Sequence, residues 1–410
     1  MEMTLRKLIF PGYRVDKEIN KYKILCAIRN QGPISIPELT RLTNLSRPTV
    51  DETVNLFYQN ELIVKDGPGE AQGGRRPNLW KINKDSGYLI GVDMETPRLN
   101  IAVTDLQLNI IQELHTEFDL DLKQTELISF LIEQIKQVLD GCPETNGKLI
   151  GMAVGVPGLI DQENGISRTL VRIPEWYDVP LVKILGEEFD VPIYLENDVR
   201  LMAIGEKEFN PLLRDVKNLI YVGYRTGIGA CVFINGKPFK GVWGNAGYIG
   251  HITVEKNGLQ CSCGNQGCME LYADESAIVS RVRQEFKTVD GKSTAKMSFE
   301  DIIMESTRGD RGINQILKSA AEYLAIGIAN AVLNFEIPTV VIGGSITIAG
   351  EQFLAWVRES CQEHIKSIPA SCLDIQFTDS MNSSVPIGGP ILILQELFRE
   401  PEITFMEELA

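Results

Sequence analysis

Long apolar runs, clustered aromatics and positive charge are all scarce in this chain. Residues Met1 to Phe10 hold too short an apolar run for a signal peptide, and no later uncharged stretch reaches the roughly 18 residues that a membrane helix needs. Neither a secretory leader nor a membrane span is expected, and the expected location is cytoplasmic, with no membrane partner. Trp80, Trp176, Trp243 and Trp356 lie too far apart in the sequence for a stacking platform, although Trp176 is a candidate to border a cleft. Cys26, Cys142, Cys231, Cys361 and Cys372 sit singly in mostly apolar surroundings, where a thiol simply packs.

Lys and Arg number 40 against 55 Asp and Glu, a net charge of −15 that, taken whole, argues against nucleic acid as a partner. The deficit is uneven. Residues 1–85 hold 14 basic against 10 acidic residues, leaving 26 against 45 for the rest. A basic head on an acidic body suits a protein that meets DNA phosphates at one end only. With 410 residues and 44% apolar content, two or three domains with substantial cores are expected.

The head reads as helix, helix, turn, helix and strand. Ile24, Leu25 and Ile28 share one face of a helix that Gly32 and Pro33 end. Ser35 with Glu38 forms a capping box for a second helix, with Pro37 in its first turn and Leu39, Leu42 and Leu45 on its apolar side. Ser46 is placed to cap a third, with Val50, Val54 and Phe57 as its buried stripe. Two strands follow, around a flexible tip that holds Gly73, Gly74, Arg75, Arg76 and Pro77. This order is that of a winged helix-turn-helix, whose recognition helix enters the major groove. Ser46, Arg47, Thr49 and Asn55 are the candidate contacts there, and Arg75 and Arg76 suit a narrow minor groove. A three-helix protein-binding module with a solvated basic loop is the competing reading.

The cysteines that do cluster are Cys261, Cys263 and Cys268, within eight residues that also contain Gly264 and Gly267. His251, ten residues earlier, brings the donors to four. Such a closed Cys and His shell suits structural Zn2+, whose binding energy becomes folding energy. A disulfide is the alternative, disfavoured by strained CxC geometry and by the expected compartment. His115 and His364 need no role beyond surface or packing.

Beyond Lys84 strands and helices alternate, and a similar series restarts near Asn218. Two α/β halves with a ligand cleft between them are the expectation. The domains implied are 1–84 (head), 85–200 plus 380–410 (first lobe) and 201–379 (second lobe with the metal site).

Gly155-Val156-Pro157-Gly158, Glu196-Asn197-Asp198, Gly227, Gly229, Gly241, Gly247, His251, the three cysteines and Glu270 together resemble the ROK family of sugar kinases and sugar-responsive repressors. The helix-turn-helix followed by Gly-Gly-Arg-Arg-Pro resembles its repressor branch, particularly the xylose-repressor type. The resemblance implies a two-lobed, actin-like (ribonuclease H-like) ATPase fold with a sugar in the cleft near the zinc. It implies Asn197, Asp198, His251 and Glu270 as sugar ligands. Tyr248 stands where the family has a glutamate three residues before the zinc histidine. Asp198 would be the catalytic base if the chain were a kinase.

The family's kinases need a Gly-Gly-Thr turn after the first strand, so that backbone N–H groups can approach ATP phosphates. Here the turn reads Asp93-Met94-Glu95-Thr96-Pro97-Arg98. Glu95 adds negative charge and Pro97 removes a donor, so no phosphotransfer is expected. The chain is read as a sugar-responsive transcriptional repressor that binds operator DNA as a homodimer or a dimer of dimers. The alternative is a sugar kinase with an appended DNA-binding head.

Overall fold

The computed structural model describes residues 15–69, 76–142, 148–170, 173, 175–378 and 385–397. The acidic tail 401–410 and Arg75 lie outside these residues.

In the head, helices Val15–Gln31, Ile36–Thr43 and Arg47–Gln59 are followed by strands Ile63–Pro68 and Asn78–Ile82. Local chemistry sets each boundary. The Ser35 N–H donates to Glu38 Oε2 at 3.0 Å and the Glu38 N–H to Ser35 Oγ at 3.4 Å, so each residue satisfies an orphan donor of the other. Asn44 ends that helix in the left-handed region (φ 55°), which turns the chain sharply. Ser46 Oγ then accepts from Thr49 N–H and opens the third helix. Val50, Val54 and Phe57 are buried. Leu42 does not join them. It is 45% exposed, because that helix is only two turns long and turns Leu39, not Leu42, into the core.

The body contains two five-stranded sheets with one shared topology. In the first, the order is Ile193–Asn197, Lys148–Val156, Gly87–Asp93, Arg98–Asp105, Ile110–Glu117. In the second it is Asp374–Phe377, Thr339–Gly344, Leu219–Tyr224, Ile228–Ile234, Lys237–Pro238. Each sheet opens with an antiparallel pair of consecutive strands and adds its later strands in parallel on the other side. Such a repeat leaves the ends of the first hairpin of each sheet facing a common crevice. Helix Arg311–Phe335 is long and apolar enough to cross a membrane, but Ile313, Leu317, Leu324, Ile328 and Val332 on it are buried in the core of the second lobe.

Two helices join the parts. Asp198–Phe209 is buried from Asp198 to Glu206, and its apolar side chains share a cluster with both the second sheet and helix Val385–Leu397. The latter helix packs on strand Gly87–Asp93 so closely that a Cβ at Gly91 would come within 1.8 Å of the Pro386 carbonyl oxygen. Only glycine fits there.

Candidate functional site

The short turn Ile249–His251 and the glycine-rich loop after it bring four soft or borderline donors together. Gly264 (φ 94°) and Gly267 (φ 75°) take conformations that side chains resist, and a Cβ on Gly267 would strike the Glu255 carbonyl oxygen at 1.8 Å. The donor atoms of His251, Cys261, Cys263 and Cys268 lie within 4.8 Å of one another. Cys263 Sγ is 3.6 Å from Cys268 Sγ, and Cys261 Sγ is 3.8 Å from His251 Nδ1. Sulfurs held tetrahedrally at about 2.3 Å from one ion stand about 3.8 Å apart, so the cluster fits a metal. All eight cysteines are free. Burial and the neighbouring thiols push Cys268 well above the usual thiol range, an arrangement that a divalent cation would reverse by drawing out the protons.

Because Nδ1 faces the sulfurs, Nε2 is the histidine nitrogen left for another partner. Glu270 continues from the metal cluster toward the crevice. Its Oε1 lies 3.3 Å from His251 Nδ1 and 3.5 Å from Cys261 Sγ, while Oε2 points at Gly227 and Gly250.

A cavity of about 1020 Å³ opens beside the cluster, and Asn197, Asp198, Tyr248, His251 and Glu270 all line it. The structure therefore brings together every residue expected to meet a sugar. Asn197 ends the strand Ile193–Asn197 and caps the next helix, its Oδ1 accepting from Arg200 N–H at 3.2 Å. Asp198 follows at the helix start. Burial raises its pKa from 3.8 to about 6, with Arg225 pulling the other way. Tyr248 stacks on His251, with ring centroids 5.9 Å apart. Its hydroxyl is buried and has no hydrogen-bond partner among the described residues. Burial also keeps the phenol protonated.

One residue of the crevice escaped sequence reading. Arg225, just after strand Leu219–Tyr224, reaches across to the first lobe. Its Nη2 lies 2.6 Å from Asp93 Oδ2 and 2.5 Å from Glu95 Oε2, and its Nη1 lies 3.5 Å from Asp198 Oδ2. Burial opposes its charge, but Asp93 and Glu95 overcome that and hold it cationic. Glu95 also pairs with Arg98 at 3.3 Å. The turn expected to repel phosphate is thus held shut by an internal cation. The only sequence signal was an arginine directly before Thr226-Gly227-Ile228-Gly229.

Other candidates fall elsewhere. Trp176 does not border the crevice: it is buried in the core of the first lobe, with Nε1 donating to Ser167 Oγ at 2.9 Å, because the hairpin that carries it folds inward. Ser46, Arg47 and Asn55 are exposed on one helix with Thr49 half-buried, and Arg76 is exposed at the returning strand of the hairpin. His115 is on the surface and bonds Asn100 at 2.9 Å.

Fold and crevice define a two-lobed protein with a small helical head and a Cys and His cluster that could hold a metal. The chain belongs to the ROK family, whose model matches residues 89–396. It is 33% identical over 383 residues to the xylose repressor of Bacillus subtilis, covering 93% of this chain and 96% of that one. It is 30% identical to the xylose repressor of Caldicellulosiruptor bescii, covering 94% and 98%. The fold matches a ROK-family transcriptional regulator described as a homologue of the E. coli MLC protein (TM-score 0.80, 23% identity, 94% of this chain and 98% of that one). It also matches a Streptomyces griseus ROK glucokinase bound to glucose and AMPPNP (TM-score 0.65, 23% identity), which covers 75% of this chain and is itself 99% covered.

Proposed function

We propose that the protein is a cytoplasmic, sugar-responsive transcriptional repressor and that its kinase-like body senses the sugar without phosphorylating it. The observation that carries this reading is the Arg225 cluster. A phosphate approaching the turn after strand Gly87–Asp93 meets the carboxylates of Asp93 and Glu95, and the guanidinium that might have welcomed it is already committed to them. The relatives named as xylose repressors align over 93% and 94% of the chain, which takes in most of the head and supports the same conclusion.

In this reading Asn197, Asp198, Tyr248, His251 and Glu270 pair the hydroxyls of a sugar of the xylose type. Carboxylates accept short hydrogen bonds, while the amide and the phenol both donate and accept. His251, Cys261, Cys263 and Cys268 hold structural Zn2+, which contributes folding energy to the loop bearing the sugar ligands. The head is a winged helix-turn-helix. Ser46, Arg47, Thr49 and Asn55 face the major groove of operator DNA, and Arg75 and Arg76 enter the minor groove. Two heads of a homodimer read a palindrome, and the sugar lowers operator affinity. A hundredfold fall needs about 2.7 kcal/mol of coupling, which is the sugar's differential affinity for the two states.

A sugar kinase with a DNA-binding head is the second reading, favoured by Asp198 at the cavity wall and by the glycines of the Thr226–Gly229 turn. A coupled assay with ATP and a panel of pentoses and hexoses separates the two. The repressor reading expects no sugar-dependent ATP consumption and a rise in melting temperature with the effector sugar. Turnover that Asp198→Asn abolishes would overturn it.

A further inference from the structure

We infer that helix Asp198–Phe209 carries the state of the cleft to the head, and that the Arg29–Glu208 ion pair is the contact through which the head reads it. This rests on the repressor reading for its physiological meaning, but the mechanical claim stands on the structure of the helix itself.

The first turn of the helix is part of the cavity: Asn197 caps it and Asp198 begins it, and both line the wall. The same turn is seated on the second lobe. A Cβ at Gly223 or Gly229 would come within 2.8 or 2.9 Å of the Val199 methyl groups, so two adjacent strand backbones of the second sheet press directly on that side chain. Arg200 pairs with buried Glu196 and donates to the Gly244 carbonyl at 2.9 Å. Any ligand that shifts Asn197 and Asp198, or any closure of the second lobe, therefore moves this turn.

The middle of the helix gives the displacement no place to dissipate. Every residue from Asp198 to Glu206 is buried. Gly388 of helix Val385–Leu397 meets the Leu201 carbonyl so closely that a Cβ there would fall 2.1 Å from the oxygen, which makes the two helices move as one. A close-packed element of this kind shifts as a unit rather than deforming. Twelve residues carry the shift about 18 Å along the axis.

The far end meets the head. Glu208 Oε1 lies 3.3 Å from Arg29 Nη2 on the head's first helix. Beside this pair, Ile393, Leu394 and Leu397 of the companion helix share one apolar cluster with Ile24, Leu25 and Ile28 of the head. The apolar contact keeps the head docked, and the charge pair sets its register. A partly exposed pair adds little stability, so it can be cut without unfolding either side.

The test uses the full-length, metal-loaded protein, D-xylose, and a duplex selected by that protein from a randomised library. Operator affinity is measured by fluorescence anisotropy with and without the sugar, and sugar affinity by calorimetry. Glu208→Gln and Arg29→Gln should each leave the two separate affinities within about threefold of wild type, yet cut the sugar-induced loss of operator affinity by about tenfold or more. The charge-swapped pair, Arg29→Glu with Glu208→Arg, should restore it. An unchanged response in both single variants, or a swap that fails to restore it, overturns the inference. If the wild type responds neither to D-xylose nor to any other sugar of the pentose and hexose panel, the repressor reading falls and hydrogen exchange decides the mechanical claim. Asn197→Ala, which uncaps the helix, should speed amide exchange in helix Val15–Gln31, and Glu208→Gln should abolish that effect; unaltered exchange in Asn197→Ala overturns the claim.

Discussion

Two turns face each other across the cleft, one from the first hairpin of each sheet, and they differ sharply. The turn of the second lobe, Thr226-Gly227-Ile228-Gly229, is open at Gly227, where a Cβ would approach only Glu270, while Gly229 packs against Val199. The turn of the first lobe is filled with carboxylate and proline, and its charge is consumed by Arg225 from the other side. The sheets share a topology, but the turns differ in length, residues 94–97 against 225–227, as well as in side chains. One crevice can thus carry an open turn on one side and a self-neutralised one on the other.

Removing the proposed metal should have the largest effect, because it would break the element that holds His251 and Glu270 against the second lobe. Chelation, or Cys261→Ser with Cys268→Ser, is expected to cost several kcal/mol and lower the melting temperature by roughly 10 °C, as scanning calorimetry would record. Next comes Arg225→Ala. It strands the buried carboxylates of Asp93 and Glu95, at a cost of about 3–5 kcal/mol in chemical denaturation. Adding Asp93→Asn and Glu95→Gln should recover most of that loss; if the triple variant is as unstable as the single one, the ionic account of the turn is wrong.

Asp198 sharpens the comparison through pH. Its folded pKa of about 6 lies above the ordinary 3.8, so its charged form costs the folded state stability. The cost is fully present above pH 6 and is relieved as pH falls through 6 toward 3.8. At about 1.4 kcal/mol per pKa unit, Asp198→Asn should stabilise the sugar-free protein by up to about 3 kcal/mol at pH 7.5 and by almost nothing at pH 4. The same change should weaken sugar binding about a hundredfold at neutral pH, since a charged acceptor becomes a neutral amide. Tyr248→Phe is the mildest. It deletes a buried hydroxyl without a partner, so the free protein should gain about 1 kcal/mol while sugar affinity falls about tenfold. Equal destabilisation of both forms would mean that the phenol serves packing alone.

Much of this was legible beforehand because the governing interactions are local or nearly so. Capping at Ser35 and Ser46, the strands from Tyr88 onward, and the metal donors within 18 positions all announce themselves by spacing. Helix Asp198–Phe209 was missed because charged residues share its buried faces: Arg200 and Glu206 are buried along with Leu201, Met202 and Ile204, whereas charge normally marks the solvent side. Arg225 was missed for a different reason. Its partners Asp93 and Glu95 lie 132 and 130 residues away, and no local pattern encodes that distance. Glu95 was read as a repulsive charge, which holds for a phosphate but leaves out the cation that makes its burial tolerable. The outward reading of Trp176 failed because a large indole in a short hairpin gains more from the core than from a cavity wall.

The crossing of Arg225 to the opposite lobe makes the members of the cluster unequal targets for substitution. Losing Asp93 or Glu95 alone leaves the guanidinium the other carboxylate, whereas losing Arg225 strands both acids inside the protein at once. The charge balance of the turn therefore hinges on the cation and tolerates loss of either anion.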